Sequence, residues 1–174
     1  MHEKQNQIVE FTILFNKYKK RIYNYARKML NDQMQADDIV QNVFIKLYQN
    51  LDSIHNKQSI QFWLFKTSRN EILALFRNRG NKQLYSNSLD VEDVEIESTF
   101  SLTEEFENKE LCKLIRNELN NMNEDFREVF VLREYSGLNY KEMASLLGIN
   151  EELVKSRLYK ARQKLVCRIS KLIK

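Results

Sequence analysis

No proline interrupts this 174-residue chain, and glycine occurs only three times, at Gly80, Gly137 and Gly148. Few residues stop an α-helix as firmly as these two. A sequence so poor in them, and rich in Leu, Ile, Lys, Glu and Asn, is expected to be all-α. The apolar residues fall in short runs at helical spacing. Ile8 to Met29 carries Phe11, Leu14, Phe15, Tyr18, Ile22, Tyr25, Ala26 and Met29 on one stripe, and Asn31-Asp32 breaks it. Gln35 to Leu51 repeats the pattern, Asp52 to Ser59 is a polar loop, and Ile60 to Arg79 is a third helix. Further helices are expected from Glu104 to Leu119, from Asn123 as an N-cap to Gly137 as a C′ residue, from Tyr140 to Leu147, and from Asn150 onward as a cap.

Between the two sets of helices, Gly80 to Thr103 loses the periodicity and turns acidic. The charge follows the same division. Residues 1–79 hold 13 Lys/Arg against 7 Asp/Glu, residues 80–110 hold 2 against 9, and residues 111–174 hold 13 against 8. The expectation is two small helical domains, 1–79 and 111–174, joined by a flexible acidic linker over 80–110. Two basic blocks suit polyanionic partners. No apolar run reaches the roughly 20 residues of a membrane span, and MHEKQNQIVEF has no apolar core of a signal peptide. A cytoplasmic protein without membrane insertion is expected, with Cys112 and Cys167 as buried reduced thiols.

Asn139 to Arg162 reads as helix, tight turn, helix. On the second helix Val154, Leu158, Ala161 and Leu165 share one stripe. Glu152, Ser156, Tyr159 and Gln163 form the opposite one, flanked by Lys155 and Lys160, with Arg157 and Arg162 nearer the rims. This is the layout of a helix-turn-helix whose polar side chains meet base edges while basic ones reach phosphates. In the third helix Lys66, Arg69, Asn70 and Arg77 fall near one stripe, with Arg79 following, beside Phe62, Trp63 and Phe65. Aromatics next to cations suit unpaired bases. Asp37 and Asp38, adjacent on a helix, point about 100° apart and cannot converge on one ion unaided. His2 and His55 have no ligand partners at metal spacing, and no phosphate loop or nucleophile-and-base set is present. No cofactor and no enzymatic activity are expected.

Three segments together resemble the bacterial RNA polymerase sigma factors of the extracytoplasmic-function type. They are Ala36-Asp37-Asp38-Ile39-Val40-Gln41-Asn42-Val43-Phe44; Phe62-Trp63-Leu64 through Arg69-Asn70 to Arg77-Asn78-Arg79; and Phe126-Arg127-Glu128-Val129-Phe130, followed by Gly137, Glu142-Met143-Ala144, Gly148, Val154-Lys155-Ser156-Arg157-Leu158 and Ala161-Arg162. The resemblance implies an initiation factor that binds core polymerase and recognises the promoter's −10 and −35 elements. The clamp of the largest subunit would meet Asp38, Gln41, Asn42 and Phe44. The loop Leu51 to Ser59 and Lys66, Arg69, Asn70, Arg77 and Arg79 would hold the melted start-proximal element, where an extruded base is read. Glu151, Glu152, Lys155, Ser156, Arg157, Tyr159, Lys160 and Arg162 would meet the upstream duplex, with the polymerase flap nearby and an anti-sigma factor as a further partner of many relatives. Asn42 replaces the usual acid, Met122-Asn123 the usual Leu-Pro, Asn150 the usual serine cap and Leu153 the usual threonine, whose role is left open. The rival readings are a one-component helix-turn-helix regulator with a helical sensor domain, and a two-domain basic RNA-processing enzyme or adaptor.

Overall fold

A computed structural model describes the backbone of residues 2–54, 56, 59–80 and 102–172, and side chains within 5–54, 56, 59–78 and 110–171. Among the described residues there are seven α-helices and no strand, as the scarcity of helix breakers predicts. The expected linker falls mostly on residues 81–101, outside the described set.

The first group comprises α1 (His2–Leu30), α2 (Gln33–Asn50), a short 3-10 turn (Leu51–Ser53) and α3 (Ile60–Gly80). Asn31 ends α1 in the left-handed region at φ 53°, a conformation Asn tolerates better than most residues. Asp32 then caps α2 by accepting the Gln35 N–H at 3.0 Å. The apolar stripe read from α1 faces inward: Ile22, Tyr25 and Ala26 are fully buried, with Val43 and Leu47 of α2 and Leu64 and Phe65 of α3.

The second group comprises α4 (Leu102–Asn120), α5 (Glu124–Glu134), α6 (Tyr140–Leu147) and α7 (Glu151–Leu172). Helix α4 starts two residues before Glu104 and takes in the last part of the segment expected as linker. Asn123 caps α5 as its position predicts, accepting the Asp125 N–H. Helix α5 stops at Glu134, before Gly137, yet Gly137 still takes the left-handed turn at φ 67° that leads the chain on. At α6 the cap is reciprocal: the Asn139 side chain accepts the Glu142 N–H while the Glu142 carboxylate accepts the Asn139 N–H. This satisfies two of the otherwise orphan donors at a helix start. Gly148 closes α6 at φ 68°, and Asn150 opens α7 by accepting the Leu153 N–H at 2.8 Å.

The two groups do not stand apart. One buried cluster runs from Tyr18, Ile22 and Tyr25 on α1, through Phe65 on α3, to Val129 and Leu132 on α5, Met143 on α6 and Leu158 on α7. A smaller cluster of Leu119, Met122, Ala161 and Leu165 seats α4 on α7. Helix α5 lies against α1, and α6 against α3.

The cysteine expectation is corrected. Cys112 and Cys167 are both exposed. Helices α4 and α7 meet through Ile115, Leu119, Leu165 and Ile169. Cys167 lies two residues, roughly 200° on a helix, from Leu165, and Cys112 sits nearly one turn before Ile115, where the contact runs out.

Candidate nucleic-acid interface

The inner stripe of α7 fixes the helix. Val154 and Ala161 are fully buried, Leu158 and Leu165 nearly so. The outer stripe is therefore presented to solvent: Glu151, Glu152, Lys155, Ser156, Tyr159, Lys160 and Gln163 are exposed. Tyr159 keeps 65% of its surface accessible, high for an aromatic ring with no fold contact to explain it. The Lys155 ammonium lies 5.7 Å from the Tyr140 ring centre, which holds its stem close to α6. The rim arginines have partners within the fold. Arg157 pairs with Asp125 of α5 at 2.7 Å, and Arg162 bonds Glu134 at 2.5 Å through Nη2 and 3.2 Å through Nε. The Glu134 hydrogen bond is the main reason the Arg162 pKa rises above its ordinary value. Leu153 is half-exposed beside the outer stripe.

On α3 the expected basic stripe divides. Lys66, Asn70 and Arg77 are exposed, and Lys66 lies 5.8 Å from the Phe62 ring centre. The Arg79 side chain lies outside the described residues, as do residues 55, 57 and 58 of the loop expected to read an extruded base. Arg69 does not stand with the exposed residues. It turns toward α5 and forms a two-pronged pair with Glu128, Nε to Oε1 at 2.8 Å and Nη2 to Oε2 at 3.3 Å. The Tyr25 hydroxyl donates to the same Oε1 at 2.7 Å. Periodicity put Arg69 on the outer stripe; the correction is that its long side chain swings to the one carboxylate buried in the facing helix. Trp63, Phe62 and Phe65 pack on the core.

On α2 Asp38, Gln41 and Asn42 are exposed on one side. Phe44, expected among the polymerase contacts, is only 3% exposed and meets Phe15 edge-on at 4.8 Å. It belongs to the core because it follows Val40 by four residues on the inward stripe. It floors a shallow groove of about 340 Å³ with Phe11, Phe15, Gln41, Ile45 and Tyr48.

Sequence reasoning missed a seam of polar contacts between the groups. Beside the Tyr25–Glu128–Arg69 cluster, the Arg21 guanidinium donates to the Ser136 carbonyl, at 2.8 Å from Nε, and to Gln61 Oε1 at 3.0 Å. Gln61 in turn donates to Glu142 at 3.1 Å, and Arg127 donates to the Met29 carbonyl at 3.2 Å. One signal was available. Glu128 sits among Phe126, Val129, Val131 and Leu132, and a carboxylate on an apolar face needs a cation or donor from elsewhere. Burial disfavours the charged form of Arg69, but the hydrogen bond and charge of Glu128 outweigh it and its pKa rises.

Burial first, and then the Glu128 charge and hydrogen bond, push Tyr25 well above the ordinary value of 10.0. A raised folded-state pKa means the neutral form is favoured by folding. Its contribution is complete below pH 10 and is lost as the pH climbs through the raised value. In an ultraviolet titration of the eight tyrosines, one should ionise later than the rest, and Tyr25→Phe should remove that late step. Simultaneous ionisation of all eight in the folded chain would contradict the cluster.

Residues 14–82 match the family model Sigma-70 region 2. Residues 112–165 match Sigma-70, region 4. The chain belongs to the sigma-70 family, as a sigma factor of the extracytoplasmic-function type. It is similar to the RNA polymerase sigma factor SigZ of Bacillus subtilis, at 29% identity over 152 residues, covering 87% of this chain and 82% of that one. It is also similar to the ECF RNA polymerase sigma-E factor of Haemophilus influenzae, at 24% over 169 residues, covering 94% and 89%. Its fold is like that of the sigma factor RpoE of Bartonella quintana, solved in complex with the anti-sigma factor NepR, with a TM-score of 0.75, 22% identity and 92% and 97% coverage. CnrH, solved with the cytosolic domain of CnrY, has a TM-score of 0.65, 22% identity and 92% and 87% coverage. This sigma factor is a promoter-directing transcription initiation factor. Region matches in both halves leave the one-component regulator, which needs a sensor domain in the first half, unsupported. Among the described residues no helix is long and apolar enough to cross a membrane, and no group of His, Cys, Asp and Glu could hold a metal ion.

Proposed function

We propose that residues 111–174 read the upstream promoter element as duplex through the outer stripe of α7, and that residues 1–79 grip core polymerase and the melted start-proximal element, with 80–110 as the linker. The observation that carries the reading is the division of α7 into a buried apolar stripe and an exposed polar and basic one. A helix seated this way, at a tight Gly148 turn from a capped partner, has the form that enters a major groove. In this reading Glu151, Glu152, Ser156 and Tyr159 face base edges, and Lys155 and Lys160 hold phosphates. Arg157 and Arg162 position the helix through their pairs with Asp125 and Glu134 and reach the backbone from its rims. Lys66, Asn70, Arg77 and Arg79 track the single strand, joined by Arg69 once it is free. Asp38, Gln41 and Asn42 offer the α2 surface to the polymerase clamp, with the Phe44 groove beneath them. Cytoplasmic location and the absence of catalysis belong to the same reading, and an anti-sigma factor of the kind bound to RpoE is a further partner it accommodates.

The experiment is retention of the full chain on core polymerase together with run-off transcription from genomic promoter fragments. The wild type should bind core and start transcripts. A combined Asp38→Ala and Gln41→Ala variant should lose core binding while its melting temperature is unchanged. A wild-type chain that neither binds core nor starts a transcript would remove the proposal.

A further inference from the structure

The seam between the two groups covers a residue that the promoter-binding reading requires. Arg69 lies on the same helix as Lys66, Asn70 and Arg77, yet its guanidinium is taken up by both oxygens of Glu128. A carboxylate that accepts two parallel N–H bonds from arginine has the geometry with which a phosphate is held. Glu128 is nearly buried and approached by Arg69 from one side and the Tyr25 hydroxyl from another. The apolar seam beneath it is continuous with the core.

We propose that Glu128 is an internal stand-in for a nucleic-acid phosphate, and that its pair with Arg69 holds the chain in a closed state in which the single-strand surface of α3 is incomplete. This rests on the reading of α3 as the single-strand surface. Arg69 has a partner in both states, Glu128 when closed and a backbone phosphate when open, so exchange does not strand its charge. Tyr25 sets the strength of the closed state by fixing the carboxylate, and Arg21 on the Ser136 carbonyl and Gln61 on Glu142 hold the two groups in register beside it. Partner binding that separates α5 from α1 would free Arg69 as it frees α7 to move away. Promoter capture and opening are then the same step seen from two surfaces.

The test uses the full chain and a labelled oligo(dT) single strand. Glu128→Gln keeps the side-chain shape and an acceptor for the Tyr25 hydroxyl but removes the charge that mimics phosphate. It should bind the strand several-fold tighter than wild type. In an Arg69→Gln background the same substitution should give no gain, because the cation it releases is absent. No gain in the wild-type background, or an equal gain in both, would overturn the proposal; the second result would mean that any lost negative charge improves binding. If Glu128→Gln melts well below wild type, Tyr25→Phe, which removes only the hydroxyl, carries the same pair of expectations. Core retention and run-off transcription by the wild type report the promoter role separately, so its failure and that of the Glu128–Arg69 exchange are different results.

Discussion

Leu158→Ala should cost about 2–5 kcal/mol of folding stability, the range for emptying a buried leucine site. For a chain of this size that corresponds to a melting temperature lower by about 5–15 °C. Leu158 is 2% exposed and sits where α7 meets the core shared by both groups. Val154 on one side and Ala161 on the other leave little slack to close the void, and neither is long enough to reach into it. The neighbouring exchange Tyr159→Ala removes a larger side chain but from the exposed stripe, and should change stability by less than about 0.5 kcal/mol. Calorimetry of the two variants decides the orientation of α7. Equal losses in both would mean that the inner and outer stripes are misassigned.

Lys155→Ala combined with Lys160→Ala should weaken binding of the full chain to duplex DNA about a hundredfold at low salt, taking roughly tenfold for each charge-assisted contact. The slope of log affinity against log salt should shrink by about 2, since each neutralised phosphate contributes about 0.9. The two lysines are chosen because both are exposed and neither has a carboxylate partner among the described ion pairs. Arg157→Ala is a poorer probe: it also removes the Asp125 pair that ties α7 to α5, so binding and seating change together. Fluorescence anisotropy across a salt series separates the outcomes. An unchanged slope in the double variant would move the duplex surface off α7.

Much of the fold was legible because a helix repeats its environment every three to four residues. The stripes on α1, α2 and α7 could be read from single residues, and the Asn123, Asn139 and Asn150 caps from local chemistry that needs no distant partner. The terminating glycines were legible at Gly148 and only partly at Gly137, where α5 had already ended. Periodicity reports which face is buried and says nothing of what buries it. The pairing of Tyr25 and Arg69 with Glu128 joins positions 103 and 59 residues apart, and no local rule brings them together. The same limit explains Phe44, which neighbours Gln41 on the helix yet is buried by Phe11 and Phe15 of α1. It also explains the cysteines: Cys167 turns away from the stripe of Leu165 and Ile169, and Cys112 sits where the contact of α4 with α7 runs out. For the candidate site, the α7 surface was visible in the sequence and the state of Arg69 was not.

The separation of α7 into two stripes also bears on how such a regulator diverges. Substitutions on the exposed stripe leave the seating of the helix intact, and each costs the fold little. The Gly148 turn and the Asn139–Glu142 cap keep the helix at one angle whatever its outer residues are. A duplicated copy could therefore acquire a different target through a few point changes, without an intermediate that fails to fold. The architecture behaves like a fixed holder with an exchangeable inscription, and families of such factors within one genome are what that arrangement permits.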